Sequence, residues 1–217
     1  MSQSAIPPDL AKIKQHIETT THALNTNIAY STTAQLASWI ERILVWNKKI
    51  DLTAARTLDE LVDLCIADAL VISQHIEKGL RVVDVGSGAG APGLPLAILR
   101  PDLHLTLVEP IAKRVSFLRT VIGGSQITAT VERKRGEELD TGCWDVALSR
   151  ATLGPDAWLE LGSRLVRDNG LIAVLLARKD PPSHASAIMK EEDAYAWPLT
   201  GTARRIQWYQ RCAETVA

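Results

Sequence analysis

Residues Arg81-Val-Val-Asp-Val-Gly-Ser-Gly-Ala-Gly-Ala-Pro-Gly-Leu-Pro-Leu-Ala-Ile-Leu99 decide the fold. Val82, Val83 and Val85 form a β-branched apolar run of strand length, interrupted by Asp84 one residue before it ends. Gly86, Gly88 and Gly90 follow at a spacing of two, with Gly93 beyond them. Glycines allow positive φ and let a ligand approach the backbone. Pro95 suits a first helical turn, and Leu96, Ile98 and Leu99 supply apolar helix positions. The stretch therefore reads as a buried strand, a glycine turn and a helix start. An acid followed by Gly-x-Gly-x-Gly differs from the Gly-x-Gly-x-x-Gly of dinucleotide sites. It points to a nucleoside ligand without a pyrophosphate, S-adenosylmethionine above all. Asp84, Gly86, Ser87, Gly88 and Gly90 are the candidate cofactor residues of this turn. A plain strand-to-helix turn is the competing reading; three glycines and a buried acid together weigh against it.

Composition bounds the rest. A chain of 217 residues with 46% hydrophobic residues supports one α/β domain with an appendage. The three cysteines, Cys65, Cys143 and Cys212, are scattered and odd in number. No Cys/His spacing matches a zinc site, so no metal is expected. Free thiols fit a reducing, cytoplasmic compartment. No cationic leader and no long apolar run is present, so neither a signal peptide nor a membrane span is expected. A net charge of −1 argues against nonspecific coating of nucleic acid but allows a local basic patch.

Outward from the turn, residues 1–78 read as a helical appendage and 79–217 as the ligand-binding domain. Met1–Pro8 is expected to fray. Leu10–Ile28 carries a weak helical pattern, and Ser31–Ile50 a clear one with Thr33 as its cap. A third helix starts at Leu58 and carries Asp63 and Asp68, five apart and so expected on different faces. His104–Val108 is the second strand, closed by Glu109 about twenty residues past the glycines, where an acid meets a ribose diol. Ile111–Ile122 is a helix carrying Lys113, Arg114 and Arg119, either a phosphate-facing patch or a solvated face. Gln126–Val131 is the third strand, and the loop after it holds Glu137 and Glu138, candidates for the adenine. Trp144–Leu148 is the fourth strand, with Ser149-Arg150 at its carboxyl end, where ligands of open parallel sheets bind. Residues 156–165 form a helix, and Asn169-Gly170 turns into the fifth strand, Leu171–Leu176. A basic loop at Arg178-Lys179 and a short helix over Ser186–Asp193 follow. Residues 194–197 and 204–209 form a hairpin at one sheet edge. The fold class is α/β: a Rossmann-like doubly wound sheet, mostly parallel with an antiparallel C-terminal edge, preceded by a helical segment.

Trp46-Asn-Lys-Lys-Ile-Asp-Leu-Thr53, Asp84–Leu96, Lys113-Arg-Val-Ser-Phe-Leu-Arg119, Arg135-Gly-Glu-Glu138 and Ser149-Arg-Ala151 occur in that order. Together they resemble the motifs of the bacterial small-subunit ribosomal RNA guanine-N7 methyltransferases, also called glucose-inhibited division protein B, within the class I S-adenosylmethionine-dependent methyltransferases. The resemblance implies cofactor contacts at Gly86, Ala91, Gly136, Glu137 and Arg150 besides Glu109. It implies 16S ribosomal RNA, or a 30S assembly intermediate, as partner of a monomer. The chain departs from the family pattern where Leu64-Cys65 replace Arg-His, where Ala69 replaces Ser, and where Glu109 replaces Asp. The cations after the fifth strand come late, at Arg178-Lys179. Methylation of a small molecule or peptide, and a non-catalytic nucleoside-binding role, therefore stay open as alternatives.

Guanine N7 carries an unprotonated lone pair exposed in the major groove. Its methylation needs alignment rather than a general base, and no Ser-His-Asp or Cys-His constellation is visible. Arg150 is the candidate for orienting cofactor or acceptor, and Asp68 for holding an acceptor donor group. Lys113 and Arg114 are the candidate RNA phosphate contacts.

Overall fold

The computed structural model describes residues 9–150, 152–176 and 180–213. The expectations for Met1–Pro8, for Ala151 and for Arg178-Lys179 fall outside the described residues. Seven strands form one sheet: β1 Arg81–Val85, β2 His104–Val108, β3 Ala129–Glu132, β4 Trp144–Ser149, β5 Val166–Leu176, β6 Ala187–Ala196 and β7 Ala203–Arg211. Their spatial order is β3-β2-β1-β4-β5-β7-β6. β1 to β5 pair in parallel, and β7 enters antiparallel to β5 and β6. The chain order reverses between β1 and β4, which opens a crevice at the carboxyl ends of those strands.

The strand periodicity sorts β1 onto two faces. Val82 packs toward the helices α1 (Leu10–Ala23), α2 (Tyr30–Trp46), α3 (Leu58–Val62), α4 (Asp68–His75), α5 (Gly93–Leu99) and α6 (Ala112–Gly123). Val83 and Val85 pack toward α7 (Pro155–Leu165). The N-terminal helices share one continuous buried cluster with the sheet, from Ile13 and Trp39 to Val82 and Leu105. Burying each such aliphatic side chain contributes ~1.5–3 kcal/mol. No described helix is long and apolar enough to cross a membrane.

Three local expectations are corrected. Thr33 does not cap α2; Ala29 holds that position, and the buried Thr33 hydroxyl reaches back to the Ala29 carbonyl at 3.5 Å. Residues 186–193 form no helix but open the edge strand β6, because pairing along β7 overrides local propensity. Lys190, Glu191 and Glu192 leave that edge charged, which discourages further strand addition. Asp63 and Asp68 do not diverge. A π-turn over Asp63–Ala67 separates α3 from α4, and its wider winding aims both carboxylates at the β6–β7 connection. Strand boundaries also shift: β3 starts at Ala129, and β5 starts at Val166 with Asn169 at φ +62° inside a bulged stretch.

Asp63 takes hydrogen bonds from the Leu199 and Thr200 amides and from the Thr200 hydroxyl, at 2.9–3.2 Å. Burial pushes its carboxyl above the usual range, and those donors oppose the push. His75 adds a second tie. Its ring nitrogens lie 3.0 Å from Asp193 and 3.4 Å from Glu191, and its ring stacks on Trp208. Arg100 caps the end of α4 by donating to the Ser73 and Ile76 carbonyls at 2.8 Å. Asp63→Ala removes the acceptor of three bonds at the hairpin and is expected to cost about 1–3 kcal/mol, read by urea denaturation.

Candidate active site

The glycine turn is built from β1 outward. Gly86, Gly88 and Gly90 all have positive φ. The Gly86 and Ser87 amides donate to the Val108 carbonyl at 2.8 and 3.1 Å, which binds the turn to the end of β2. The Ser87 hydroxyl donates to the Asp84 carbonyl at 2.8 Å, so this side chain closes the turn. A Cβ on Gly86 would lie 2.0 Å from the Thr152 hydroxyl. A Cβ on Gly88 meets nothing nearer than 3.9 Å, so Gly88 is the open face of the turn. Ala91, buried behind it, joins Pro92 through a cis peptide. The Trp39 indole donates to the Ala89 carbonyl at 3.1 Å. That bond ties α2 to the turn across fifty positions, and no local pattern announces it.

Two buried carboxylates flank the turn. Asp84 is fully buried; one oxygen accepts from the Gly93 amide at 3.0 Å and the other has no partner among the described residues. Desolvation pushes its carboxyl up to about 7, against the opposing hydrogen bond from Gly93 and the Arg150 charge. Glu109 is buried at the mouth, accepting from the Gly88 amide at 2.9 Å and the Ile111 amide at 2.8 Å. An open glycine face beside the buried Glu109 carboxylate fits a nucleoside ligand that carries positive charge. S-adenosylmethionine is such a ligand.

The remaining expected residues divide. Gly136 opens a short 3-10 turn (Gly136–Glu138) and packs so closely that a Cβ would meet Val85 at 2.7 Å and Leu161 at 2.9 Å. Glycine is required there for packing, at the same sheet edge as the turn. Glu137 is exposed, whereas Glu138 accepts from the Arg135 amide at 2.7 Å. Arg150, at the end of β4, donates to the Leu64 carbonyl and lies 3.7 Å from Asp68. Asp68 accepts from the Tyr195 hydroxyl at 2.7 Å and the Trp197 indole at 2.8 Å. It is thus committed to its neighbours.

The Trp46–Thr53 and Lys113–Arg119 motifs meet in space. The Asn47 carboxamide oxygen accepts from the Leu52 and Thr53 amides at 2.8 and 3.0 Å, folding the segment on itself. Arg114 donates to the Asp51 carbonyl at 3.0–3.1 Å and lies 4.0 Å from Glu109. Trp46 meets Phe117 edge-on at 5.5 Å. Arg114 therefore braces the mouth of the turn, while Lys113 on the same helix is exposed.

Beside the turn, a cavity of about 530 Å³ opens at the carboxyl ends of β4 and β5. Leu64, Asp68, Arg150, Trp158, Val174 and the hairpin residues Tyr195, Trp197, Arg204 and Arg205 line it. Trp158 donates to the Ala173 carbonyl at 2.8 Å. The hairpin residues escaped the sequence reading because their approach depends on β7 entering beside β5.

The raised Asp84 sets a pH dependence. Between about 4 and about 7 the folded chain holds this proton and the unfolded chain does not, so stability falls as pH rises across that window. Asp84→Asn keeps an acceptor for Gly93 and cannot ionise. Its melting temperature is expected to lose this part of the slope, read as the difference from wild type between pH 4 and 7.5.

The family profile described as GidB, rRNA small subunit methyltransferase G, matches residues 32–190. Ribosomal RNA small subunit methyltransferase G of Anaeromyxobacter dehalogenans is 32% identical over 200 residues, covering 87% of this chain and 93% of that protein. Its namesake in Mycobacterium leprae is 42% identical over 121 residues, covering 54% of this chain and 49% of that protein. Among solved structures, P. horikoshii TYW2 in complex with MeSAdo superposes with a TM-score of 0.52 at 13% identity, over 67% of this chain and 62% of that one. TrmN from Thermus thermophilus gives 0.50 at 17% identity, over 70% and 48%. These two likenesses bear on the fold alone. With a crevice of this build under a profile that spans most of its length, the chain belongs to the rRNA small subunit methyltransferase G family.

Proposed function

We propose that the protein is an S-adenosylmethionine-dependent methyltransferase of 16S ribosomal RNA, acting at N7 of a guanine. The observation that carries this reading is the open face of Gly88, set between buried Asp84 and Glu109 at the point where the sheet reverses its order. When bound, S-adenosylmethionine supplies an electrophilic methyl group on a sulfonium. The turn from Gly86 to Gly90 would hold it, with Glu109 at its mouth and buried Asp84 fixing the turn beneath.

The chain's own work is alignment. Guanine N7 bears no proton, so its attack releases none and the site needs no proton acceptor. The cavity agrees with that demand: Asp68, the carboxylate in its lining, already accepts from Tyr195 and Trp197. Trp158, Leu64 and Val174 give the cavity apolar walls, and a fixed approach can supply most of the acceleration. Arg150, held by the Leu64 carbonyl and Asp68, stands at the wall. A cation against a base that gains positive charge would oppose the reaction, so its role is orientation. Three arginines in the lining favour an anionic acceptor such as RNA over an apolar one. A cytoplasmic monomer that meets either free 16S RNA or a 30S assembly intermediate completes the reading.

Incubating the full chain with methyl-labelled cofactor and small-subunit RNA, free or within 30S particles, tests this. Nuclease digestion is expected to recover label as 7-methylguanosine; label in another nucleoside, or none, refutes it. Gly88→Val places a branched side chain on the open face at φ +56°. Calorimetry is expected to show cofactor affinity falling more than about a hundredfold, or ~2.8 kcal/mol, through occlusion and backbone strain.

A further inference from the structure

The cavity beside the glycine turn is closed by residues outside the family match. The profile ends at residue 190, whereas Tyr195, Trp197, Arg204 and Arg205 all come from the hairpin beyond it. One carboxylate organises this wall. Asp68, 2% exposed, accepts from both Tyr195 and Trp197, and so fixes the two aromatic side chains against the start of α4. Trp197 in turn carries Arg204, whose guanidinium carbon sits 3.7 Å from the ring centroid. Contact with an aromatic face restrains a guanidinium without consuming its donors.

Arg204 differs from the other arginines of the lining. Arg150 lies 3.7 Å from Asp68, and Arg205 lies 3.8 Å from Glu192. Arg204 is half-buried, lines the cavity and forms no ion pair among the described residues; its guanidinium donates to the Ala203 carbonyl at 3.4 Å. A restrained guanidinium without a carboxylate, in a cavity with two further arginines, calls for an oxyanion. A volume of about 530 Å³ has room for a nucleotide as well as for the reacting end of a cofactor.

We propose that Arg204, held on Trp197 through Asp68, is an acceptor-binding residue that holds the phosphate of the acceptor nucleotide when it is turned out of its RNA strand into this cavity. The assignment rests on the RNA methyltransferase reading above. Phosphate is chosen over the base because a cation beside a purine that becomes positive at N7 would work against transfer, whereas a phosphate gains from the pairing. Asp68 acts here as a positioning residue, one step behind Arg204.

The test compares wild type, Arg204→Ala and Arg204→Lys in methyl transfer to small-subunit RNA across a salt series. Cofactor affinity by calorimetry and the thermal midpoint serve as controls on folding. In Arg204→Ala, KM for RNA is expected to rise about tenfold with kcat retained, because the contact is made equally before and during transfer. The slope of log KM against log salt is expected to fall by about one. Arg204→Lys keeps the charge and is expected to keep that slope while recovering part of the affinity. A rise in KM with the salt slope unchanged means a structural role and overturns the inference. So does an Arg204→Ala enzyme equal to wild type. Absence of transfer to any RNA by wild type overturns instead the reading on which the inference rests.

Discussion

The site depends on a carboxylate buried where water cannot reach it. Asp84 sits in the middle of an otherwise apolar strand, with one oxygen on the Gly93 amide and the other without a partner among the described residues. The bond to Gly93 sets where α5 starts relative to β1, and so sets the span that the glycine turn must bridge. Side chains are excluded from that span for different reasons. At Gly86 the Thr152 hydroxyl already fills the space, and at Gly93 the Asp84 carboxylate and Leu107 do. At Gly88 the space is empty, and it faces the crevice. A polar group under an apolar sheet is costly. Here the cost accompanies a turn whose outer face at Gly88 is open.

Around that centre the fold works by long ties rather than by one hinge of packing. Trp39 reaches the turn from α2, Arg114 reaches the Trp46–Thr53 segment from α6, and Asp63, Asp68 and His75 reach the C-terminal hairpin from the helices before β1. Each tie joins a segment expected from its own pattern to one that is distant in sequence. The N-terminal helices are therefore part of the site's frame: they hold the turn on one side and the cavity wall on the other.

Much of this was legible from residue order. Val82 to Val85, the glycines and Glu109 predicted strand, turn and second-strand acid, and those elements stand as read. The α/β alternation predicted the parallel sheet and the edge hairpin. Readings failed where the winding or the partner decided the outcome. Asp63 and Asp68 were placed on different faces by α-helical spacing, and a π-turn brought them to the same hairpin. Residues 186–193 looked helical by composition, yet β7 offered a full ladder of partners. Thr33 looked like a cap, although the helix begins three residues before it.

The sequence by itself determined the glycine turn, because a run of glycines after a buried acid is a local statement about backbone freedom. It also determined the order of strands and helices, because periodicity is local. The tertiary structure decided which side chains share a cavity. Arg150 at the end of β4, Asp68 at the start of α4 and Arg204 on β7 lie far apart in the chain, and nothing in their neighbourhoods announces one another. They meet because the antiparallel β7 slots in beside β5 and folds its hairpin back over the carboxyl edge of the sheet. Long-range pairing creates that proximity, and local pattern carries no record of it.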